Sequence, residues 1–310
     1  RDTAREMANA SPAVCVHPGR HVTWYGDDTQ RTRAIAILNA LLGSWGRRGG
    51  FYYPERVSIP EPEHPPYPKP NRSWRDAHPG KYNLAHLALA SGICDATIPS
   101  ADKDCSFKGW IVNGSNLLFT LPNQKNTLEA IQNLDLLAVV DTMPMEITGY
   151  ADVILPECTY LERYDSIRNS PHREPAIALR APAVKPKWNT KPAWWMAKEL
   201  SKKLNLGAYF PFDNHEEELE WQLQQVGSSL EEMKKVGVKI LDRAYDDLYP
   251  MGNLDEYEFN TNTGKIELYS TSLEDEGFAP MPVYKKHEEP PTGYYRLIYG
   301  RAPMHTFSRT

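Results

Sequence analysis

The 310-residue sequence has only four cysteines, Cys15, Cys94, Cys105 and Cys158, and no two are spaced C-x-x-C. A zinc site or a cysteine-held iron–sulfur cluster therefore has no local signature in it. The four thiols read instead as small buried apolar groups. No apolar run approaches the roughly 18–20 residues that cross a bilayer. No G-x-G-x-x-G follows a strand-like segment, so the usual fingerprint of a nicotinamide-dinucleotide domain is missing. Positive charge is short as well: the net charge is −5 and the pI about 6. A general nucleic-acid binder needs a basic surface to neutralise phosphates, so no nucleic acid is expected as a partner.

What is present is ordinary globular composition, 41% hydrophobic and 24% charged, enough for one large domain or two to three smaller pieces. It fits a soluble protein or a soluble subunit on a membrane partner. Residues 1–10 have helical composition. "AVCVHPG" and "HVTWYG" read as strands, the second rich in β-branched and aromatic residues. Asp27 or Asp28 then caps a helix, with Gln30 completing a capping-box pattern from Asp27. Ala34, Ile37, Leu38 and Leu41 form its i, i+3, i+4, i+7 stripe, joined by Ile35 and Leu42. Gly43 reads as its C-cap and "GSWGRRGGF" as a glycine-rich turn. Residues 54–80 are too rich in proline for a helix or a central strand. Tyr67 and Trp74 favour an ordered crossing loop there over a linker.

An α/β pattern follows. "KYNLAHLALASG" reads as a helix, "GWIVNG" as a strand, "QKNTLEAIQNL" as a helix, and "DLLAVVD" and "ADVILP" as strands. Nearly all-apolar strands alternating with helices predict a parallel sheet covered on both faces. Residues 159–190 read as irregular and 190–250 as helical. Thr263-Gly264 in "YEFNTNTGKIELYS" signals a hairpin, and "YYRLIYGRAP" opens another β-rich unit.

Open parallel sheets bind ligands beyond the carboxyl ends of their strands. Three such edges are visible: Gly26-Asp27, Asn113-Gly114 with Asn116, and Asp141-Thr142. Gly26 and Gly114 permit a sharp turn or close approach to a ligand. Asp141, Asn116 and Thr142 offer directional hydrogen bonds. Each residue singly is as well explained by a helix cap or a satisfied turn; their common topological position favours a nucleotide site. Arg31 and Arg33 oppose the dipole of the helix they begin. Either Asp27 and Asp28 offset them, or an anion binds there. Arg20 and His21 read from spacing alone as a surface basic pair, with anionic-substrate binding as the alternative.

Together these segments resemble the molybdopterin oxidoreductases of the dimethyl-sulfoxide-reductase family. "VVDTMPMEITGYADVILPECTYLERYDS" is similar to a hallmark segment of that family. "WIVNGSN" resembles its strand and G-x-N-P loop, with Leu117 in place of the proline. "WYGDDTQRTRAIAILNALLGSWGRRGGF", "FNTNTGKIELYS" and "RLIYGRAPMHTFSRT" resemble three more of its segments, in the family's order. "HPGRHVTWYGDDTQR" and "LPECTYLERYD" are most similar to the polysulfide and thiosulfate reductase branch. Arsenate and tetrathionate reductases lie nearby.

The resemblance implies an α/β fold: parallel-sheet Rossmann-like domains, a helical segment and the start of a C-terminal β-barrel. Residues 1–50 would end one dinucleotide-cofactor domain, and 51–190 would be the later half of a second. Residues 191–290 would be a helical return with a β-hairpin, and 291–310 the barrel entry. It implies a fragment of a catalytic subunit carrying molybdenum bis(molybdopterin guanine dinucleotide), with a 4Fe-4S cluster in an upstream part. No residue here is assigned as a metal ligand. Gly26, Asp27 and Arg31 would face one dinucleotide, and Asn113, Gly114, Asn116, Asp141 and Thr142 a guanosine. Gly300, Arg301, His305, Thr306 and Ser308 would reach the pterin or its phosphates. Arg20 would hold a small anionic substrate and His21 deliver a proton. The implied activity is reduction of polysulfide, thiosulfate or tetrathionate in anaerobic respiration. The alternatives are arsenate reduction or a non-catalytic respiratory subunit. Implied partners are an iron–sulfur electron-transfer subunit and a membrane-anchor quinone-reactive subunit. The implied location is the periplasm or the outer face of the cytoplasmic membrane.

Overall fold

The structure, a computed structural model, describes residues 1–19, 28–54, 57–78, 80, 82, 84–85, 89, 91–100, 106–169, 171–241, 248–249 and 257–297. The described helices are α1 (Asp2–Ala10), α2 (Asp28–Leu41), α3 (Gly92–Thr97), α4 (Leu117–Thr120), α5 (Gln124–Gln132), α6 (Ala193–Lys203), α7 (His215–Gln225), α8 (Leu230–Val236) and α9 (Thr271–Asp275). Strands β1 (Gly109–Asn113), β2 (Leu136–Asp141) and β3 (Val153–Pro156) form one parallel sheet in the order β1-β2-β3. The chain divides into two compact units. The first comprises Arg1–Val57, Asn169–Ile177 and Ile240–Leu297; the second includes Ser58–Arg168 and Ala178–Lys239.

In the first unit, α2 ends as its sequence predicts. Gly43 is left-handed, its N–H donates to Ala40 O at 3.0 Å, and Ser44 N–H donates to Asn39 O at 3.0 Å. Its predicted apolar stripe is buried only in part: Leu42 is buried and Ile35 and Ile37 are half-buried. Leu38 is partly and Leu41 largely exposed, whereas Asn39 is buried. Asn39 decides this orientation. Its Oδ1 accepts the Val16 N–H at 2.8 Å, and its Nδ2 donates to Val16 O at 2.8 Å and Ile35 O at 3.1 Å. That fork also replaces the strand expected over "AVCVHPG": Val14–Gly19 is irregular chain whose backbone groups at Val16 are satisfied by a side chain. Arg33 donates to the carbonyls of Leu268, Ala279 and Pro280. Its charge thus fastens α2 to the 268–280 segment. The expected hairpin is a turn without paired strands. Gly264 is left-handed and accepts the Phe259 N–H at 2.8 Å, but neither flank is a strand.

In the second unit, the sheet packs one face against helices. Trp110 and Val112 of β1 lie in register with Leu137 and Val139 of β2. All four are buried with Cys94, Leu118, Ala130, Ile131 and Ile147, from α3, α4, α5 and the 3-10 turn Glu146–Tyr150. Trp110 Nε1 donates to Thr97 Oγ1 at 3.0 Å, so the indole is buried without an orphan donor. Coverage of the opposite face is partial among the described residues: Ala138 and Val140 of the central strand are buried on it. Ile111 and Val153, on the two flanking strands, stay exposed there. Half of the helix expected over residues 81–92 falls outside the described residues. Tyr82, Leu84, Ala85 and Leu89 are non-helical, and the helix forms just beyond, at α3. The proline-rich segment is an ordered loop where described, with Tyr67 stacked on Tyr209 at 5.5 Å. Of the cysteines, Cys94 and Cys158 are buried as expected and Cys15 is exposed. Cys105 lies outside the described residues. So does most of the expected barrel entry; residues 291–297 contain no strand.

Helices α7 and α8 start where side chains cap them. Asn214 Oδ1 accepts the Glu217 N–H at 3.0 Å and Ser229 Oγ the Glu232 N–H at 3.2 Å. His215 opens α7 stacked on Trp194 at 5.4 Å. Burial lowers its pKa below the ordinary 6.5 because desolvation penalises the charged ring. The unfolded chain therefore takes up a proton that the folded chain refuses. Stability is full above pH 6.5, declines as pH falls through that value, and levels off below the folded pKa. Thermal midpoints measured from pH 8 to 5 are expected to fall less steeply in His215→Phe than in the wild type; parallel curves would exclude this origin.

Candidate functional site

The carboxyl ends of β1 and β2 meet in the second unit. Gly114, left-handed just after β1, donates its N–H to Val140 O at 2.9 Å. This brings Asn113, Gly114 and Asn116 beside Asp141 and Thr142, as the strand-edge argument predicts. β3 ends at the same level, where Asp141 pairs with Pro156 and the Glu157 N–H donates to Asp141 O at 2.9 Å.

Local chemistry separates these residues. Asp141 is buried, and its Oδ1 accepts from the Thr142 N–H at 2.6 Å and the Met143 N–H at 3.4 Å. That oxygen shapes the turn after β2, so the satisfied-turn reading holds for it. Asn116 differs. It is almost wholly buried, and its Nδ2 donates to Glu146 at 2.6 Å. A carboxylate can face only the amide's NH2, so the orientation of the amide is fixed. Its Oδ1 is then buried with no hydrogen-bond partner among the described residues. Buried acceptors are nearly always paired, and an unpaired one costs about 1–3 kcal/mol. Among the described residues, the sheet edge thus holds one buried amide oxygen whose hydrogen-bonding capacity is unused.

Three residues absent from the sequence reading complete the edge. Glu146 orients Asn116. Glu157 is buried and ion-paired with Arg163, and its Oε1 accepts the Ala193 N–H that opens α6 at 3.3 Å. Arg163 also reaches Asp165 at 3.0 Å. The only sequence signal for any of them was their place within the quoted "MPMEITGY" and "LPECTYLER".

Arg31 belongs to the first unit, 3.9 Å from Asp28. It lies beside a cavity of about 740 Å³ that Gln30 and residues 282–288 also line. Arg20, His21, Gly26, Asp27, Gly300, Arg301, His305, Thr306 and Ser308 lie outside the described residues. Among the described residues, no cluster of three or more His, Cys, Asp or Glu is placed to hold a metal. No described helix is long and apolar enough to cross a membrane.

A parallel sheet with helices packed on it, and with loops of Gly, Asn and Asp at its carboxyl edge, defines an α/β protein. The family follows from comparison. The molybdopterin oxidoreductase family model matches residues 9–203, and the chain belongs to that family. It is 30% identical over 305 residues to the thiosulfate reductase molybdopterin-containing subunit PhsA of Salmonella typhimurium, covering 87% of this chain and 40% of the relative. It is 26% identical over 344 residues to the dimethyl sulfoxide reductase DmsA of Escherichia coli, covering 95% and 40%. Among solved structures, acetylene hydratase from Pelobacter acetylenicus is similar at 26% identity and a TM-score of 0.53, covering 64% of this chain and 26% of that one. The chain spans about 40% of the length of the first curated relatives.

Proposed function

We propose that this chain is part of the catalytic subunit of a molybdenum oxidoreductase that reduces a sulfur substrate: polysulfide, thiosulfate or tetrathionate. The observation that carries the reading is the unpaired Asn116 Oδ1, buried at the carboxyl edge of a sheet in a molybdopterin-family chain. The similarity to a thiosulfate reductase subunit supports the substrate class. Similarity to an acetylene hydratase warns that one fold serves several chemistries.

In this reading the cofactor is the bis guanine dinucleotide form. Asn113, Gly114, Asn116, Asp141 and Thr142 hold one guanosine. Asn116 Oδ1 accepts from it, and Gly114, without a Cβ, allows close approach. Gly26, Asp27 and Arg31 face the other dinucleotide, and Gly300, Arg301, His305, Thr306 and Ser308 the pterin or its phosphates. The cofactor supplies two-electron chemistry at molybdenum, while the protein supplies position and charge. Arg20 holds the anionic substrate and His21 moves a proton. In the same reading, electrons would be supplied through a 4Fe-4S cluster in an upstream part and an iron–sulfur subunit, from a quinone-reactive membrane anchor, in the periplasm or at the outer face of the cytoplasmic membrane.

The test is molybdenum and pterin analysis of protein isolated from its native source. It is paired with dye-coupled reduction of polysulfide, thiosulfate, tetrathionate and arsenate. Molybdenum with turnover of none of the first three would refute the sulfur assignment. Asn116→Leu keeps the volume and removes the orphan acceptor. It is expected to lower bound guanine nucleotide several-fold while leaving the thermal midpoint of cofactor-free protein unchanged or higher. A lower midpoint with full nucleotide content would make Asn116 a purely structural residue.

A further inference from the structure

Away from the sheet edge, the second unit carries a loop that holds a tryptophan in water. Trp188 is 94% exposed and its φ is +59°. Bulky residues rarely adopt that backbone, and such strain persists only where neighbours over-determine it. Here they do. Lys187 N–H donates to Glu162 Oε1 at 2.9 Å, Thr190 Oγ1 donates to Lys187 O at 2.9 Å, and Lys191 N–H donates to Pro156 O at 3.1 Å. The loop is pinned at both ends with its largest apolar side chain outward.

The surroundings extend that surface. Ala183 and Val184 donate their N–H groups to Leu161 O at 2.8 and 3.1 Å, which sets exposed Val184 beside exposed Tyr160 and Leu161. Lys191 Nζ lies 5.3 Å from the centre of the Trp195 ring. Exposed Lys185 and Lys187 flank the tryptophan. The acid among them, Glu162, already accepts from the Lys187 and Thr159 N–H groups. A basic aromatic surface therefore stands on a chain whose net charge is −5.

We propose that this surface docks a protein whose facing side is acidic around an apolar pocket that receives the Trp188 indole. Exposed contiguous apolar groups rimmed by charge mark interaction sites, and tryptophan is a common anchor of protein interfaces. The fixed backbone favours a protein over a lipid surface. A pre-set backbone lowers the ordering cost of filling one shaped pocket, but a lipid interface accepts a ring in many orientations. The inference does not depend on the redox reading.

The test places a photo-crosslinking benzoylphenylalanine at position 188 in the native host. The expected adduct is one protein, joined through a segment containing Asp or Glu. That protein, purified, should bind the unmodified chain, more weakly as salt rises. It should bind Trp188→Gly and the double variant Lys185→Glu/Lys187→Glu at least about tenfold more weakly. The thermal midpoint of Trp188→Gly should not fall, because glycine relieves the left-handed strain. Unchanged affinity in both variants overturns the proposal. So does an adduct only with a second copy of this chain, the absence of any protein adduct, or Trp188-dependent retention on phosphatidylglycerol vesicles without one.

Discussion

Gly50→Ala is expected to destabilise the first unit by about 2–4 kcal/mol, measured by denaturant midpoint. A Cβ on Gly50 would lie 2.0 Å from Ser44 O, 2.7 Å from Ser44 C and 2.9 Å from Ser44 Cα. These are backbone atoms, so no side-chain rotation relieves the clash. Nor can the turn open cheaply. Phe51 N–H donates to the same Ser44 O at 2.7 Å, Gly46 N–H donates to Phe51 O at 2.8 Å, and the Trp45 and Phe51 rings stack at 4.7 Å. Relief would break those bonds together. Gly207→Ala is the control: nothing lies within 4 Å of its added Cβ, and its midpoint should stay within about 0.5 kcal/mol of the wild type. Equal midpoints for both variants would mean that the turn is not packed as described.

The turn itself was readable from "GSWGRRGGF", because glycine clusters mark backbone that a Cβ would obstruct. The sheet was readable too, since "WIVN" and "LLAVVD" are apolar runs bounded by turn residues. Helix α2 shows where periodicity fails. Of its stripe, Leu42 is buried but Leu38 and Leu41 are exposed, because the neighbouring Asn39 turns inward to satisfy the backbone of Val16, 23 residues earlier. No pattern in one sequence announces such a long-range polar fork. Thr263-Gly264 gave its turn but not its strands, since a turn signal says nothing of whether the flanks find partners.

The site divides in the same way. Topology placed Asn113, Gly114, Asn116, Asp141 and Thr142 together before any coordinates. The difference between Asp141, occupied by its own turn, and Asn116, left with an orphan oxygen, needed the side-chain positions. Glu146, 30 residues from Asn116, and the Glu157–Arg163 pair were missed. Ion pairs in irregular chain have no period, and a single sequence shows only that both signs are present.

Arg163→Met is expected to cost the second unit about 3–5 kcal/mol. Glu157 keeps only 7% of its side chain in contact with solvent, and Arg163 is its one ion-pair partner among the described residues. Without the guanidinium, that carboxylate retains the Ala193 N–H at 3.3 Å, a single bond at a helix N-terminus, against the cost of a buried charge. Glu157→Gln should cost less. Arg163 is more exposed than Glu157 and keeps Asp165 at 3.0 Å. The double variant should then be more stable than Arg163→Met alone, since it removes the stranded charge. The strain should also reach the site, because the Glu157 N–H supports Asp141 O at 2.9 Å across the ends of β2 and β3. In the proposed function, Arg163→Met therefore loses guanine nucleotide at temperatures below its own thermal transition, and Glu157→Gln/Arg163→Met regains part of it. A double-mutant cycle with no coupling would show that the pair is not buried, and coupling in stability without any change in nucleotide content would separate the pair from the site.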